Sequence, residues 1–328
     1  MNVEFPGFFD LQVNGFAGVD FNDPDATTDR ILYAIERLQA TGVTRFLPTL
    51  ITSDFNSFAQ CAETLNALSH QSVAGIHMEG PYISPEDGPR GAHSRRWVVA
   101  GTIDDFERRQ QAARGRIVLV TLAPEVNGAL KLTEHLVQSG VRVAIGHSNA
   151  TTQQIRDAVS AGATLSTHLG NGCAQSLLRH PNLIWEQLAS DDLTATLIVD
   201  GHHLPPATVK TMIRAKTTSR VILVTDAMAA AGCQPGVYKI GESLVELSLD
   251  GRVAAPGALN LAGSALAMND AVANTVRYTG LTLSEVLSMA TTLPARYLGL
   301  EPMGCVKGRW DESECVLQID SVSVGETE

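Results

Sequence analysis

An α/β fold, and within that class a (β/α)8 barrel, is predicted by three features of the 328-residue sequence. Eight short apolar runs follow one another, helical patterns separate them, and several runs end in acidic or imidazole side chains. Apolar runs that alternate with helices indicate parallel strands joined by right-handed crossovers. Eight such units match a closed barrel of about 250 residues, and an open, doubly wound sheet is the structural alternative.

The predicted strands are residues 7–14, 44–51, 73–82, 116–124, 141–148, 164–171, 194–202 and 220–228. Segments 25–41 and 151–161 carry apolar residues at helical spacing and open on Asp or Thr, as amphipathic helices do. The glycine-rich nucleotide-binding motifs of open sheets do not occur in the sequence, which favours the barrel. After the eighth strand we expect a hairpin excursion near residues 237–254, helices within 264–278 and 283–298, and one or two strands within 305–320.

Composition excludes several kinds of partner. The sequence has 24 Lys and Arg against 35 Asp and Glu, a formal charge of −11, which argues against nucleic acid and anionic membranes. Its five cysteines are scattered and form no C-x-x-C pair, so no disulfide framework is indicated. No signal-peptide pattern is present, and no apolar run approaches the roughly 18 residues of a membrane span. We therefore expect a soluble protein of a reducing compartment, the cytoplasm.

Candidate metal ligands lie at the C-terminal ends of the predicted strands, the end that carries the active site in barrel enzymes. Six of the nine histidines lie there: His77, His93, His147, His168, His202 and His203. Glu79, His147 and His168 have the inward parity of strands three, five and six. Carboxylate and imidazole together suit zinc or ferrous iron, and three protein ligands leave a position for water. Each residue alone also fits an ion pair, a helix cap or a hydrogen bond to a carbonyl.

Other strand-end residues are candidates for catalysis and substrate binding. Asp226 ends the eighth strand, where it fits either a proton-transferring carboxylate or a cap for the next turn. His203 follows strand seven and is a candidate to polarise a scissile carbonyl; spacing alone does not choose between it and His202. His93, after strand three, is a candidate substrate contact.

Eight ordered segments between residues 6 and 300 carry a resemblance to a known family. They are PGFFDLQVNG, GIHMEGPYIS with RGAH, IGHSNAT, THLGN, VDGHH, LVTDAMAAAG, LAGSALAM and ATTLPARYLGL. With them the sequence resembles the N-acetylglucosamine-6-phosphate deacetylases of the amidohydrolase superfamily. The resemblance implies a metal-dependent amidohydrolase barrel with a small β domain. It also implies removal of acetyl from N-acetylglucosamine 6-phosphate, or a related amino-sugar phosphate, by metal-bound hydroxide.

The resemblance also implies roles for individual residues. Glu79, His147 and His168 fall on the family's metal ligands, Asp226 on its catalytic acid/base, and His203 on its carbonyl-contacting histidine. The implied substrate-binding residues are His93, Ala92, Asn171, Gly172, Arg179 and Gln12. Because the family's arginine at the position of Arg179 reaches across a dimer interface, the resemblance implies a homodimer.

The sequence departs from the family pattern in the first strand and in the phosphate segment. Gln12 and Asn14 replace the H-x-H of two-metal members, as in the single-metal branch, so we expect one divalent ion, Zn²⁺ or Fe²⁺. Asn171, Gly172 and Cys173 stand where N-A-M is usual. This departure makes a deacylase of an unphosphorylated or otherwise different N-acyl substrate the alternative function.

A third departure concerns the domains. The sequence begins almost at the first family motif, so we expect the barrel to occupy residues 1–300 and residues 301–328 to be a remnant of the small β domain. Together with the missing H-x-H, it motivates a second alternative, a non-catalytic sugar-phosphate-binding protein on a decayed barrel.

Overall fold

The computed structural model describes residues 1–240, 243–257 and 261–325. Its strands are β1 (Asn2–Pro6), β2 (Phe8–Val13), β3 (Gly15–Phe16), β4 (Val19–Asp20), β5 (Val43–Ile51), β6 (Ile76–Glu79), β7 (Ile117–Leu122), β8 (Arg142–Ile145), β9 (Leu165–Ser166), β10 (Thr194–Leu197), β11 (Val221–Leu223), β12 (Gly236–Ile240), β13 (Ser243–Leu247), β14 (Val253–Ala254), β15 (Cys305–Asp311) and β16 (Val316–Ser323). Its α-helices are α1 (Thr28–Gln39), α2 (Phe55–Ala67), α3 (Ile103–Ala112), α4 (Ala129–Gln138), α5 (Thr152–Ser160), α6 (Leu183–Ala189), α7 (Pro206–Lys216), α8 (Met268–Thr279), α9 (Leu283–Ala290) and α10 (Thr292–Tyr297). Within the described ranges, no helix combines the length and the apolar character that a membrane crossing needs.

Eight parallel strands form the central sheet in the order β2-β5-β6-β7-β8-β9-β10-β11. A parallel bridge between Val13, at the end of β2, and Ala227, just after β11, joins the first strand to the last. The buried carboxylate of Asp10 strengthens this seam by accepting hydrogen bonds from the backbone N–H and the hydroxyl of Thr225. The sheet is therefore a nearly closed barrel, which confirms the predicted (β/α)8 fold and excludes the open sheet.

Helix starts follow the capping residues of the sequence. Thr27 caps α1 by accepting from the N–H of Arg30, and Thr151 forms a capping box with Gln154 at the start of α5. Apolar side chains on the inner faces of the helices join those of the barrel strands in one continuous buried core. The helices thus fix the strands, and the strands fix the loops at their C-terminal ends.

Besides the barrel, the described residues form three small antiparallel sheets, of which the smallest pairs β3 with β4. The predicted excursion is the sheet β12-β13-β14, in which the Asp250-Gly251 turn lies between β13 and β14. The excursion predicted near residues 237–254 thus contains three strands rather than the two of a simple hairpin, and residues 241–242 lie outside the described residues.

The third small sheet has the order β1-β15-β16, so the N-terminal strand pairs with the strands expected in the tail. The sequence patterns predict no strand over residues 2–6, because five residues with a terminal proline give a weak alternation signal. The predicted division of the chain at residue 300 stays a prediction.

Candidate metal centre and active site

Three buried side chains converge in the barrel mouth: Glu79 at the end of β6, His147 after β8 and His168 after β9. Glu79 Oε1 lies 3.1 Å from the Nε2 atoms of both histidines, and the two Nε2 atoms lie 3.1 Å apart. A tetrahedral ion with bonds of about 2.0–2.1 Å spaces its ligand atoms by about 3.3 Å. The triangle therefore has the size that a single metal ion requires.

The chemistry of these groups also fits a cation. The Nδ1 atom of His147 lies 3.0 Å from the carbonyl oxygen of Pro89 and must donate to it, which leaves a lone pair on Nε2 for a metal. Burial opposes ionisation of Glu79, but its close contacts with the rings of His147 and His168 outweigh burial and hold the pKa of Glu79 well below the ordinary value. Burial lowers the pKa of His168, yet contact with Glu79 raises it overall. A site that attracts positive charge this strongly is suited to a divalent ion.

The backbone aims these side chains into the mouth. His147, His168 and Asp226 have φ values of +50°, +29° and +50°, in the left-handed region that non-glycine residues rarely adopt. Such residues cost roughly 1–3 kcal/mol each and cluster at functional sites. Each follows its strand by two or three residues, so β8, β9 and β11 end before the predicted residues 148, 171 and 228.

Asp226 is fixed beside the triangle by two side-chain amides, one in the first barrel strand and one directly after it. Asn14 Nδ2 donates to Asp226 Oδ1 over 2.7 Å, and Gln12 Nε2 donates to the same oxygen over 3.0 Å. Gln12 Nε2 also donates to Glu79 Oε1 over 2.9 Å, so it bridges the two carboxylates. Burial and the charge of Glu79 raise the pKa of Asp226 to about 6, against the influence of His168, His203 and Asn14.

His202 and His203 point to different partners. His203 Nδ1 lies 2.6 Å from Asp200 Oδ2, and both side chains are buried. His202 Nε2 donates instead to the carbonyl oxygen of Asp250, in the turn between β13 and β14. The structure thus separates two neighbours that spacing alone does not distinguish.

His93 lies against the triangle. Its Nε2 atom is 3.9 Å from Glu79 Oε2, and its ring centroid is 4.2 Å from that of His147. Its Nδ1 atom contacts the hydroxyl of Thr52 over 2.8 Å. Burial and the charge of His147 lower the pKa of His93 to about 3, so the ring is neutral. Ala92, the preceding residue, is exposed.

The segment after β9 begins in contact with the triangle. Asn171 donates from its side chain to the carbonyl oxygen of His168. Gly172 has φ +54°, and a Cβ there would lie 3.0 Å from His147 Nδ1 and 3.2 Å from a ring carbon of His168. Arg179 lies further along and is exposed; in the part of the chain that the structure describes, no ion pair joins it to the site.

Sequence reasoning missed Asp200 as a partner of His203, and Asn14 as a partner of Asp226. Asn14 shares inward parity with Gln12 and so was accessible to a pattern argument. The signal for Asp200 is its position three residues before His203, where an aspartate accepts from following backbone N–H groups.

An eight-stranded barrel with a buried Glu-His-His cluster and an aspartate beside it defines a class, the metal-dependent hydrolases. The sequence pattern of the amidohydrolase family matches residues 4–308 of this chain. The chain is 33% identical to N-acetylglucosamine-6-phosphate deacetylase of Bacillus subtilis, over 91% of this chain and 76% of the relative. It is 34% identical to N-acetylgalactosamine-6-phosphate deacetylase of Escherichia coli, over 90% and 78%.

A solved structure agrees with these relatives. A Mycobacterium smegmatis N-acetyl-D-glucosamine-6-phosphate deacetylase, a mutant in complex with N-acetyl-D-glucosamine-6-phosphate, superposes with a TM-score of 0.89 at 30% identity. The superposition covers 96% of this chain and 84% of that one. The chain belongs to the amidohydrolase family and, within it, to the N-acetylglucosamine-6-phosphate deacetylases, as the sequence resemblance predicted.

Proposed function

We propose that this protein is a metal-dependent deacetylase of N-acetylglucosamine 6-phosphate or a closely related amino-sugar phosphate. The observation that carries the proposal is the 3.1 Å triangle of Glu79, His147 and His168 with Asp226 held beside it. The names of the relatives support the reaction and the substrate class. They do not favour the different N-acyl substrate or the non-catalytic binding protein.

In this proposal Glu79, His147 and His168 hold one divalent ion, Zn²⁺ or Fe²⁺. When bound, the ion supplies Lewis-acid activation of water and of the acetyl carbonyl. Two imidazoles and one carboxylate support either metal, since both accept this mixed donor set.

The protein's own residues then carry the proton and the developing charge. Asp226 takes a proton from the attacking water as its oxygen bonds to the acetyl carbon, and His203 donates a hydrogen bond to the acetyl oxygen. The carbon–nitrogen bond breaks, and Asp226 returns the proton to the leaving nitrogen, which gives a free amine and acetic acid; the acid then loses its proton to solvent and becomes acetate. Gln12 and Asn14 hold the Asp226 carboxylate for both transfers.

The remaining predicted residues are assigned to the substrate. His93, neutral and beside the triangle, fits a contact to the acetamido group or a sugar hydroxyl, with Ala92 next to it on the same loop. Gly172 offers a backbone N–H for the phosphate in a left-handed turn, and Asn171 positions that turn through His168. The amide nitrogen of Gln12 donates to carboxylates, which leaves its amide oxygen for a substrate hydroxyl.

We further propose a homodimer in which Arg179 of each subunit binds the phosphate in the partner's site. Exposed apolar side chains near Arg179 support this: Leu178 precedes it and Trp185 lies on the helix that follows the loop. Large apolar and aromatic groups beside an arginine are typical of protein interfaces. We propose a cytoplasmic location, which the five free cysteines support.

A substrate panel tests the function. Metal-loaded protein is assayed for acetate release from N-acetylglucosamine and N-acetylgalactosamine, each with and without a 6-phosphate. We expect kcat/KM for a 6-phosphate to exceed kcat/KM for the corresponding neutral sugar by at least about 100-fold. The neutral sugar leaves the phosphate-binding groups of the site without a partner. Preference for a neutral sugar would contradict the phosphate assignment, and no acetate from any of the four would contradict the deacetylase itself.

A further inference from the structure

We propose that Asp200 is a positioning residue that holds His203 as a doubly protonated hydrogen-bond donor toward the acetyl oxygen. This inference deepens the proposed function and rests on it. It assigns a role to a side chain that touches neither the metal cluster nor the substrate.

The contacts around Asp200 fix both of its oxygens. Oδ2 lies 2.6 Å from His203 Nδ1, and Oδ1 accepts from the backbone N–H groups of His202 and His203, each over 2.8 Å. The side chains of Asp200 and His203 are only 9% and 8% exposed, so water competes little for these hydrogen bonds. Burial opposes ionisation of Asp200, but the bonds from His203 outweigh it and lower its pKa. Asp200 is therefore an anion that accepts three hydrogen bonds.

These contacts decide where the protons of the His203 ring lie. A carboxylate only accepts, so Nδ1 of His203 carries a hydrogen and gives it to Asp200. A neutral ring would then have no hydrogen on Nε2 and would repel a carbonyl oxygen. Donation to the acetyl oxygen from Nε2 requires the imidazolium form, and the adjacent carboxylate supplies the charge that stabilises that form.

Two carboxylates act on the His203 ring, and only one of them is bonded to it. Among the described residues, Asp200 faces it from its own loop, and Asp226 is close enough for the charge of His203 to lower the pKa of that carboxyl. The neighbouring His202 is turned away, toward the carbonyl oxygen of Asp250. One anion therefore holds the ring through Nδ1, and the ring's charge acts on the catalytic carboxylate across the mouth.

The turn that carries Asp200 is braced from outside the site. Asn274 Nδ2, on α8, donates to the carbonyl oxygen of Val199 over 2.9 Å. Gly201 has φ +83°, and a Cβ there would lie 2.8 Å from the hydroxyl of Tyr278, also on α8. Because helix and turn fit this closely, the position of Asp200 is set before substrate binds.

The central test replaces Asp200→Asn, which keeps the shape and removes the charge. We expect kcat on N-acetylglucosamine 6-phosphate to fall about 100-fold, the effect of losing one oxyanion donor. KM and bound metal, measured by elemental analysis, should stay within about 3-fold of wild type, since neither depends on the His203 proton. Because the introduced asparagine would precede Gly201, intact-mass spectrometry confirms that it has not deamidated back to aspartate.

Two further measurements separate positioning from a merely structural role. In a His203→Asn background, Asp200→Asn should cause no further loss, because the pair acts as a unit. Side-chain ¹⁵N NMR of wild-type protein at neutral pH should show both His203 nitrogens protonated, and one of them deprotonated in Asp200→Asn. His202→Asn is the matched control, and its kcat should stay within about 2-fold of wild type.

Three outcomes would overturn the proposal: near-wild-type kcat in Asp200→Asn, losses that multiply in the double variant, or a neutral His203 ring in the wild-type spectrum. Failure of the deacetylase function itself looks different. In that case wild-type protein binds metal and releases no acetate, and the NMR comparison alone decides whether Asp200 holds the ring protonated.

Discussion

The buried triangle and the exposed segment 174–182, which begins a few residues after His168, are built in opposite ways. Glu79, His147 and His168 are enclosed by barrel strands and touch one another over 3.1 Å. The segment beyond Gly172 lies at the surface, with Leu178 74% exposed and Arg179 exposed. We therefore assign the proposed chemistry to enclosed strand ends, and the proposed selectivity for the sugar phosphate to a surface loop that a partner subunit would complete.

The largest expected effect comes from the triangle itself. His168→Ala should remove bound metal and lower kcat at least about 1,000-fold, because the Lewis acid that activates water is lost. Elemental analysis and acetate release measure both effects. His135→Ala, a half-buried histidine on α4 paired with Glu107, is the control and should keep both. Full activity of the metal-free His168→Ala variant would show that the buried triangle does not carry the chemistry, and the contrast with the surface segment would no longer hold.

Asp226→Asn separates metal binding from proton transfer within the buried region. We expect kcat to fall about 1,000-fold, within the range for loss of a general acid/base, while metal content stays at the wild-type level. Asn14 and Gln12 donate to the carboxylate, so the new amide oxygen still has partners and the fold is retained. Near-normal turnover would refute the assigned role.

Gly172→Ala tests the boundary between the two regions. A Cβ at residue 172 would press on both histidine rings, so we expect metal affinity to weaken about 10-fold, as when an outer-shell contact is changed. Gly140→Ala is a matched control: it also has positive φ (+80°) and lies just before β8, but has open space around its Cβ. Equal metal affinities, measured by competition with a chelating dye, would show that the loop does not act on the ligands.

Arg179→Ala should have the smallest effect and should act on selectivity alone. We expect KM for the 6-phosphate to rise about 10-fold, with kcat and metal content unchanged, because one exposed charge–phosphate contact is lost. Arg214→Ala, at an exposed position on α7, is the control. An unchanged KM would show that Arg179 does not bind the phosphate, and another residue would then have to be sought as its ligand.

Much of the fold was predictable because strand and helix periodicity are local signals. The eight barrel strands and the helices that begin after Thr27 and Thr151 all lie where the patterns placed them. The strand ends were extended too far, because the left-handed conformations of His147 and His168 depend on packing in the closed barrel and have no pattern in sequence. Strand β1 was missed because its partner, β15, lies about three hundred residues away in the chain.

The candidate site was predictable in part. The inward positions of Glu79, His147 and His168 on their strands predicted that they meet at the barrel mouth, and the structure places their candidate ligand atoms in one cluster. Parity does not reveal side-chain partners, so the bond between Asp200 and His203 and the two roles of Gln12 emerged only from the three-dimensional arrangement. Which residues carry which catalytic step stays a prediction that the variants above test.

The barrel seam has a consequence for how the protein is made. Gln12 lies in the first barrel strand and Asn14 directly follows it, whereas the carboxylate they hold, Asp226, follows the last strand, 214 and 212 residues later. During synthesis on the ribosome, the proposed ligands Glu79, His147 and His168 all emerge before Asp226 does. The carboxylate to which we assign proton transfer is therefore held by Gln12 and Asn14 only once the two ends of the sheet have met.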